Sequence, residues 1–154
     1  MPLGPTASAR RRRNGFHPGA SLPVVPCPTC AAPTTSFRVP DALAGHTPDG
    51  EPAAAICTDC LRLSPATPTV ADPEPSFDRL LSDFPAGEGG AALALAAGML
   101  DALALDRAAV VDCCEYAEAE GVDVLLILDR LDAAGRVEPH YDLGRRRSQL
   151  ADFL

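Results

Sequence analysis

Four of the six cysteines in the 154-residue chain fall into two matched pairs, Cys27-Pro28-Thr29-Cys30 and, 26 residues further on, Cys57-Thr58-Asp59-Cys60. Two residues between cysteines let one tight turn aim both sulfurs the same way. Two such turns, one from each arm of a hairpin, close a tetrahedral shell of thiolates at about 2.3 Å from a zinc ion. The gap exceeds the commonest one of about 15–20 residues, yet the doubled C-x2-C pattern remains a strong zinc signature. We read Cys27, Cys30, Cys57 and Cys60 as ligands of one structural Zn2+. Three competing readings carry less weight. Disulfides do not suit a chain with no secretory signal. A redox pair opens a helix in a βαβ unit, which neither pair does, and two matched pairs are one too many. His46 could replace a cysteine as ligand, but it falls mid-turn with both pairs already complete.

The other reactive side chains have simpler readings. Cys113 and Cys114 are adjacent in a helical pattern, so their side chains diverge by about 100° and do not chelate one ion easily; as small buried hydrophobes they belong to the core. The stretch from Pro139 to Leu150 gathers His140, Tyr141, Arg145, Arg146 and Arg147. Arg145, Arg146, Arg147 and His140 are a candidate patch for phosphate or an acidic partner; the preferred reading pairs the arginines with acids on neighbouring helices. No nucleophile can be placed beside His140 and Asp142, and the chain has no P-loop, dinucleotide fingerprint or HExxH. No catalytic residue is assigned, and an enzyme is not expected.

The metal pairs require a scaffold. Thr34 to Val39 is β-prone and alternating, with Phe37 and Val39 on one face. Gly45, Pro48, Asp49 and Gly50 supply a long turn, Ala53 to Ile56 runs back to the second pair, and Leu61 to Leu63 continues as a third short strand. Residues 23–65 thus read as a zinc ribbon, too small to be held by burial alone, so the metal carries much of its folding energy. Residues 66–76, with Pro68, Pro73 and Pro75, read as an extended linker. Residues 77–154 read as a helical domain of about four helices, giving an α+β chain overall. Ser76 caps a turn ended by Pro85. A helix from about 88 to 104 carries Leu93, Ala97, Leu100 and Ala104 on one stripe, and its Gly98 allows close contact with another helix. Asp106 caps a helix with Val110, Cys113, Cys114 and Ala117 on one face, ended by Gly121. Asp123 caps the next, carrying Val124, Ile127, Leu128 and Leu131 and ended by Gly135. Asp142 opens a last helix with Leu143, Leu150 and Leu154 in register.

Composition frames the whole. Apolar residues make up 47% of the chain but aromatics only 5%, with no Trp; an Ala- and Leu-rich core favours helices. All 13 basic residues are Arg, against 14 Asp and seven Glu, and from residue 21 onward the net charge is −12. Such an acidic, Lys-free chain suits molar salt, where the Debye length is about 3 Å and self-repulsion is screened. A GC-rich genome also trades Lys for Arg but leaves the acidity unexplained. Residues 1–22, with the run Arg10 to Arg13, are expected to be a disordered tail. A basic arm of this kind can bind nucleic acid; a solvated tail, or an extension from a misassigned start codon, is the preferred reading. The longest apolar run, Ala91 to Leu100, has ten residues, where a bilayer needs about 20, so a cytoplasmic protein with no membrane partner is expected.

Taken together, CPTC at 27–30, Phe37-Arg38-Val39-Pro40, CTDCLRL at 57–63 and the closing Pro139 to Leu150 stretch resemble a haloarchaeal family of uncharacterised zinc-ribbon proteins. The resemblance covers about residues 24–154 and implies no established activity. The cysteine module alone resembles the zinc ribbons of transcription and translation factors, a likeness of fold only. The leading expectation is a non-enzymatic zinc-binding adaptor or regulator that engages a protein partner or a second copy of itself. A nucleic-acid-binding ribbon ranks second, disfavoured by the acidity and by the loss of counterion-release gain in high salt. A thiol redox protein ranks third.

Overall fold

The cysteine segment forms a three-stranded antiparallel sheet of β1 (Thr34–Arg38), β2 (Ala53–Cys57) and β3 (Leu63–Ala66), in the order β1-β2-β3. Thr34 pairs with Cys57 and Arg38 with Ala53; across the other edge Ile56 pairs with Leu63 and Ala53 with Ala66. The β-branched Thr34, Thr35 and Ile56 and the aromatic Phe37 suit a pleated, half-buried surface. The long connection from β1 to β2 folds into two 3-10 turns, Asp41–His46 and Pro48–Gly50. The third strand begins two residues later than expected. Leu61 has a left-handed φ of 64° and closes the turn after Cys60 instead of extending from it. The sheet then runs one residue into the segment read as a linker.

In a computed structural model of the chain, residues 25–67, 71 and 75–154 are described. The expected tail of residues 1–22, with Arg10 to Arg13, and linker residues 68–70 and 72–74 lie outside the described residues.

After the sheet, the amide of Asp78 bonds the Ser76 hydroxyl at 3.3 Å, and the turn from Phe77 ends at Pro85. Four helices follow: α1 (Gly87–Met99), α2 (Arg107–Ala119), α3 (Val124–Ala134) and α4 (Leu143–Leu150). Helix α1 is shorter than expected and buried on every side from Gly89 to Gly98, because it lies between the sheet and α2. A 3-10 turn, Leu100–Ala102, follows it and shifts the phase, so Leu103 is buried and Ala104 exposed. Gly98 does permit a close approach, but to the sheet: a Cβ there would lie 2.3 Å from Leu63 Cγ. The α2 face of Val110, Cys113, Cys114 and Ala117 is fully buried. Asp106 stands before α2, yet its side chain makes no capping bond; its carbonyl accepts from the Val110 amide, and its own amide donates back to Ala102 O. Asp123 and Asp142 do cap, accepting from the amides of Leu126 at 3.1 Å and Arg145 at 3.0 Å. Gly135, with φ of 66°, lets the chain leave α3 in the left-handed conformation that costs other residues more. Leu143 and Leu150 are buried, but Leu154 is exposed, since α4 stops at Leu150 and the chain turns away.

Ribbon and helices share one core. Phe37, Ile56 and Leu61 from the cysteine segment join Phe77, Leu93, Val110 and Leu128 in a single cluster. Phe37 meets Phe77 edge-on at 5.5 Å between centroids, and Phe77 leans on Phe84 at 5.1 Å. Each such burial contributes about 1.5–3 kcal/mol. The outer face of β2, Ala53 and Ala55, is covered by a separate small cluster with Ala66 and Ala71. Among the described residues no helix is long and apolar enough to cross a membrane.

Candidate metal centre

Each cysteine pair sits on its own knuckle, and the two knuckles have the same construction. In the first, the Cys27 amide donates to Ala32 O at 2.8 Å and the Ala31 amide to Cys27 O at 2.9 Å; in the second, the Cys57 amide donates to Arg62 O at 2.9 Å. The residue after each second cysteine is left-handed: Ala31 at φ 67° and Leu61 at φ 64°. That turn swings the following chain away and leaves backbone amides facing sulfur. Thr29 N lies 3.4 Å from Cys27 Sγ, and Asp59 N and Cys60 N lie 3.4 and 3.3 Å from Cys57 Sγ. Amide donors of this kind favour the ionised thiolate. The knuckles are fastened to each other by Thr58, whose amide and hydroxyl both donate to Pro33 O, at 3.0 and 2.7 Å.

The four sulfurs converge as expected. All lie within 4.8 Å of one another, with Cys27 Sγ to Cys60 Sγ at 3.7 Å and Cys30 Sγ to Cys57 Sγ at 3.4 Å. A tetrahedral shell with metal–sulfur bonds of about 2.3 Å places its sulfurs about 3.8 Å apart. The donor set therefore fits one soft, four-coordinate metal ion and leaves no ligand position open. Both of these close contacts run from one knuckle to the other, as a centre shared between the two pairs requires.

Electrostatics points the same way. Burial raises the Cys27 thiol, but the amides of Cys30 and Thr29 and the Cys60 and Cys57 thiols outweigh it and draw Cys27 down to about 6. Burial pushes Cys57 up to about 12, opposed by the amides of Asp59 and Cys60 and reinforced by the Cys30 and Cys60 thiols. One thiolate is readily accommodated; four at this spacing repel each other unless a cation neutralises them.

His46 lies in the intervening turn, as expected, and there it pairs with Asp112 of α2 at 3.2 Å, not with the sulfurs. Cys113 and Cys114 lie in the core, both pushed up to about 12: Cys113 by burial and then Asp112, Cys114 by burial and then Cys113, Glu118 and Glu115. Such thiols are inert. Of the basic patch, Arg145 is exposed, Arg146 donates to Gln149 Oε1 at 3.1 Å, and Arg147 pairs with Asp129 of α3 at 2.9 Å. His140 points elsewhere. Its Nδ1 lies 2.7 Å from the Cys60 carbonyl oxygen and its Nε2 lies 3.1 Å from Asp101 Oδ2. His140 and the two left-handed knuckle positions are the features of the site that spacing alone does not reveal. A contact between residues 60 and 140 leaves no local pattern, whereas the residue after each C-x-x-C was open to inspection as a turn position.

No curated protein and no solved structure matches this chain. Residues 26–154, from the first knuckle through α4, match a family of unknown function (DUF6276), and the chain belongs to that family.

Proposed function

We propose that this is a zinc-stabilised, non-enzymatic adaptor or regulatory protein, in which one structural zinc ion on Cys27, Cys30, Cys57 and Cys60 clips the ribbon shut against a helical layer. One observation carries the reading: four thiols from two independent knuckles converge within 4.8 Å in a closed shell. A shell of four protein thiolates leaves no position for substrate or activated water, which is the hallmark of structural and not catalytic zinc. The inert Cys113 and Cys114 and the engaged Arg147 and His140 supply no alternative reactive centre. The acidic, Lys-free composition suits work at high salt, and the adaptor acts by holding a protein partner or a second copy.

Metal analysis of the purified full chain, combined with hydrogen exchange before and after chelation under reducing conditions, tests this. About one zinc per chain is expected, not iron, with faster exchange over residues 25–33 once zinc is stripped. A chain without stoichiometric metal sinks the proposal, as does a ribbon that exchanges identically after stripping with all thiols intact. Turnover of a disulfide substrate by the zinc-free chain would move it to the redox class.

A further inference from the structure

We propose that His140 is a positioning residue for the metal centre: by holding the Cys60 carbonyl it fixes the second knuckle, so that metal retention depends on the helical layer. This rests on the metal reading above. The left-handed turn at Leu61, φ 64°, is disfavoured for a residue that carries a Cβ and persists only where its surroundings over-determine it. The peptide that must be held is the one joining Cys60 to Leu61, and its oxygen is taken by two donors of one residue. The His140 amide donates to Cys60 O at 3.1 Å, and the ring nitrogen Nδ1 lies 2.7 Å from the same oxygen. The preceding carbonyl, Asp59 O, accepts from the Glu138 amide at 2.8 Å. Residues 138–140 thus run beside the knuckle and occupy the carbonyls of a ligand and its neighbour.

The ring is itself held. Asp101, in the turn after α1, lies 3.1 Å from Nε2. Tyr141 meets the imidazole edge-on at 5.0 Å and donates its hydroxyl to Ala97 O of α1 at 2.5 Å. The next residue, Asp142, caps α4. A short path therefore leads from a metal-binding thiol through one imidazole to the end of α1 and the start of α4. At the first knuckle, by contrast, the Ala31 turn is exposed and its amide folds back on the Cys27 carbonyl of its own loop. Groups behind ligands in this way commonly alter metal affinity by about 10–100-fold, and by linkage the helical layer and the metal must stabilise each other.

The test compares His140→Ala, His140→Asn and His140→Gln in the full zinc-loaded chain, reading the rate of zinc transfer to a chromogenic chelator and the charge-transfer spectrum of the cobalt-loaded form. Asn places an amide nitrogen where Nδ1 stands, and Gln places one where Nε2 stands. His140→Ala is expected to release zinc at least tenfold faster with a shifted cobalt spectrum, Asn to restore most of the retention, and Gln to restore little. Wild-type release rates in a folded His140→Ala overturn the proposal; so does rescue by Gln and not Asn. If His140→Ala does not fold, the Asn and Gln pair decides: slower release from Asn supports the role, and equal rates overturn it. These failures differ from failure of the metal reading itself, which is a wild-type chain that holds no zinc through its four thiolates.

Discussion

The two knuckles share one backbone design and occupy opposite surroundings. In the second, Cys57 and Leu61 are fully buried and Cys60 is 6% exposed, and Leu61 belongs to the core that ribbon and helices share. In the first, only Cys27 is buried; Cys30 and Ala31 face solvent. One knuckle is therefore a piece of the hydrophobic core that happens to present thiols, and the other is a surface loop that a metal ion on the four thiols would close. The difference qualifies the expectation that burial is too small to hold the ribbon and that the metal carries much of its folding energy. Phe37, Ile56 and Leu61 already tie the sheet to the helices, so a metal ion on the four thiols would serve chiefly to hold the first knuckle against the second.

The largest effect that sharpens this contrast is at Leu61. Leu61→Ala keeps the left-handed turn and both ligands of the second knuckle but removes a fully buried side chain, which costs about 2–5 kcal/mol. Chemical denaturation followed by helical circular dichroism is expected to show the loss across the whole chain. A shift of less than about 0.5 kcal/mol, within the range of surface substitutions, would mean that the second knuckle is not part of the core.

The metal-free chain offers a second, smaller contrast, because the knuckles are expected to respond to pH at opposite ends. Cys27, drawn down to about 6 in the fold from an ordinary thiol value of about 8.5, contributes stability that is full above the unfolded value and is lost as pH falls through about 6. Cys57, pushed up to about 12, does the reverse: its contribution is full below the unfolded value and is lost as pH rises toward 12. Denaturation midpoints of the stripped, reduced chain should therefore be highest near the unfolded thiol value of about 8.5 and fall on both sides of it. Cys27→Ala should flatten the acid limb, whereas Cys57→Ala should only make the alkaline one shallower, because the buried Cys113 and Cys114 thiols, also pushed up to about 12, add to it. A Cys27→Ala acid limb as steep as wild type would show that the first knuckle holds no preferred thiolate.

Legibility in the sequence divides along the same line. What local chemistry determines was readable: the two C-x2-C pairs, β1 and β2 to within a residue, and the Asp123 and Asp142 caps, whose side chains bond the amides three residues on. What depends on contacts distant in the chain was not. Helix α1 was expected to show one apolar stripe because a helix on a surface does, but it is enclosed by the sheet and α2, so every residue from Gly89 to Gly98 is buried. Gly98 suggested a close neighbour without saying that it would be Leu63. His140 lies close to Arg145, Arg146 and Arg147 along the chain, but its ring is turned toward Cys60, 80 residues away.

The smallest expected effect lies at the exposed knuckle. Ala31 holds a left-handed φ of 67° with its side chain in solvent, so a glycine there relieves the steric penalty without removing any packing. Against that gain stands the greater backbone freedom of glycine in the unfolded chain, and the two leave Ala31→Gly expected to stabilise the zinc-loaded chain by about 0.5–1 kcal/mol. The same change at Leu61 removes a buried side chain and is expected to destabilise strongly. Opposite signs for one substitution at two equivalent backbone positions would separate conformation from burial, since the turn is shared and only the surroundings differ. Denaturation midpoints of the two glycine variants measure it directly, and destabilisation by both would show that the Ala31 side chain makes contacts beyond its own loop.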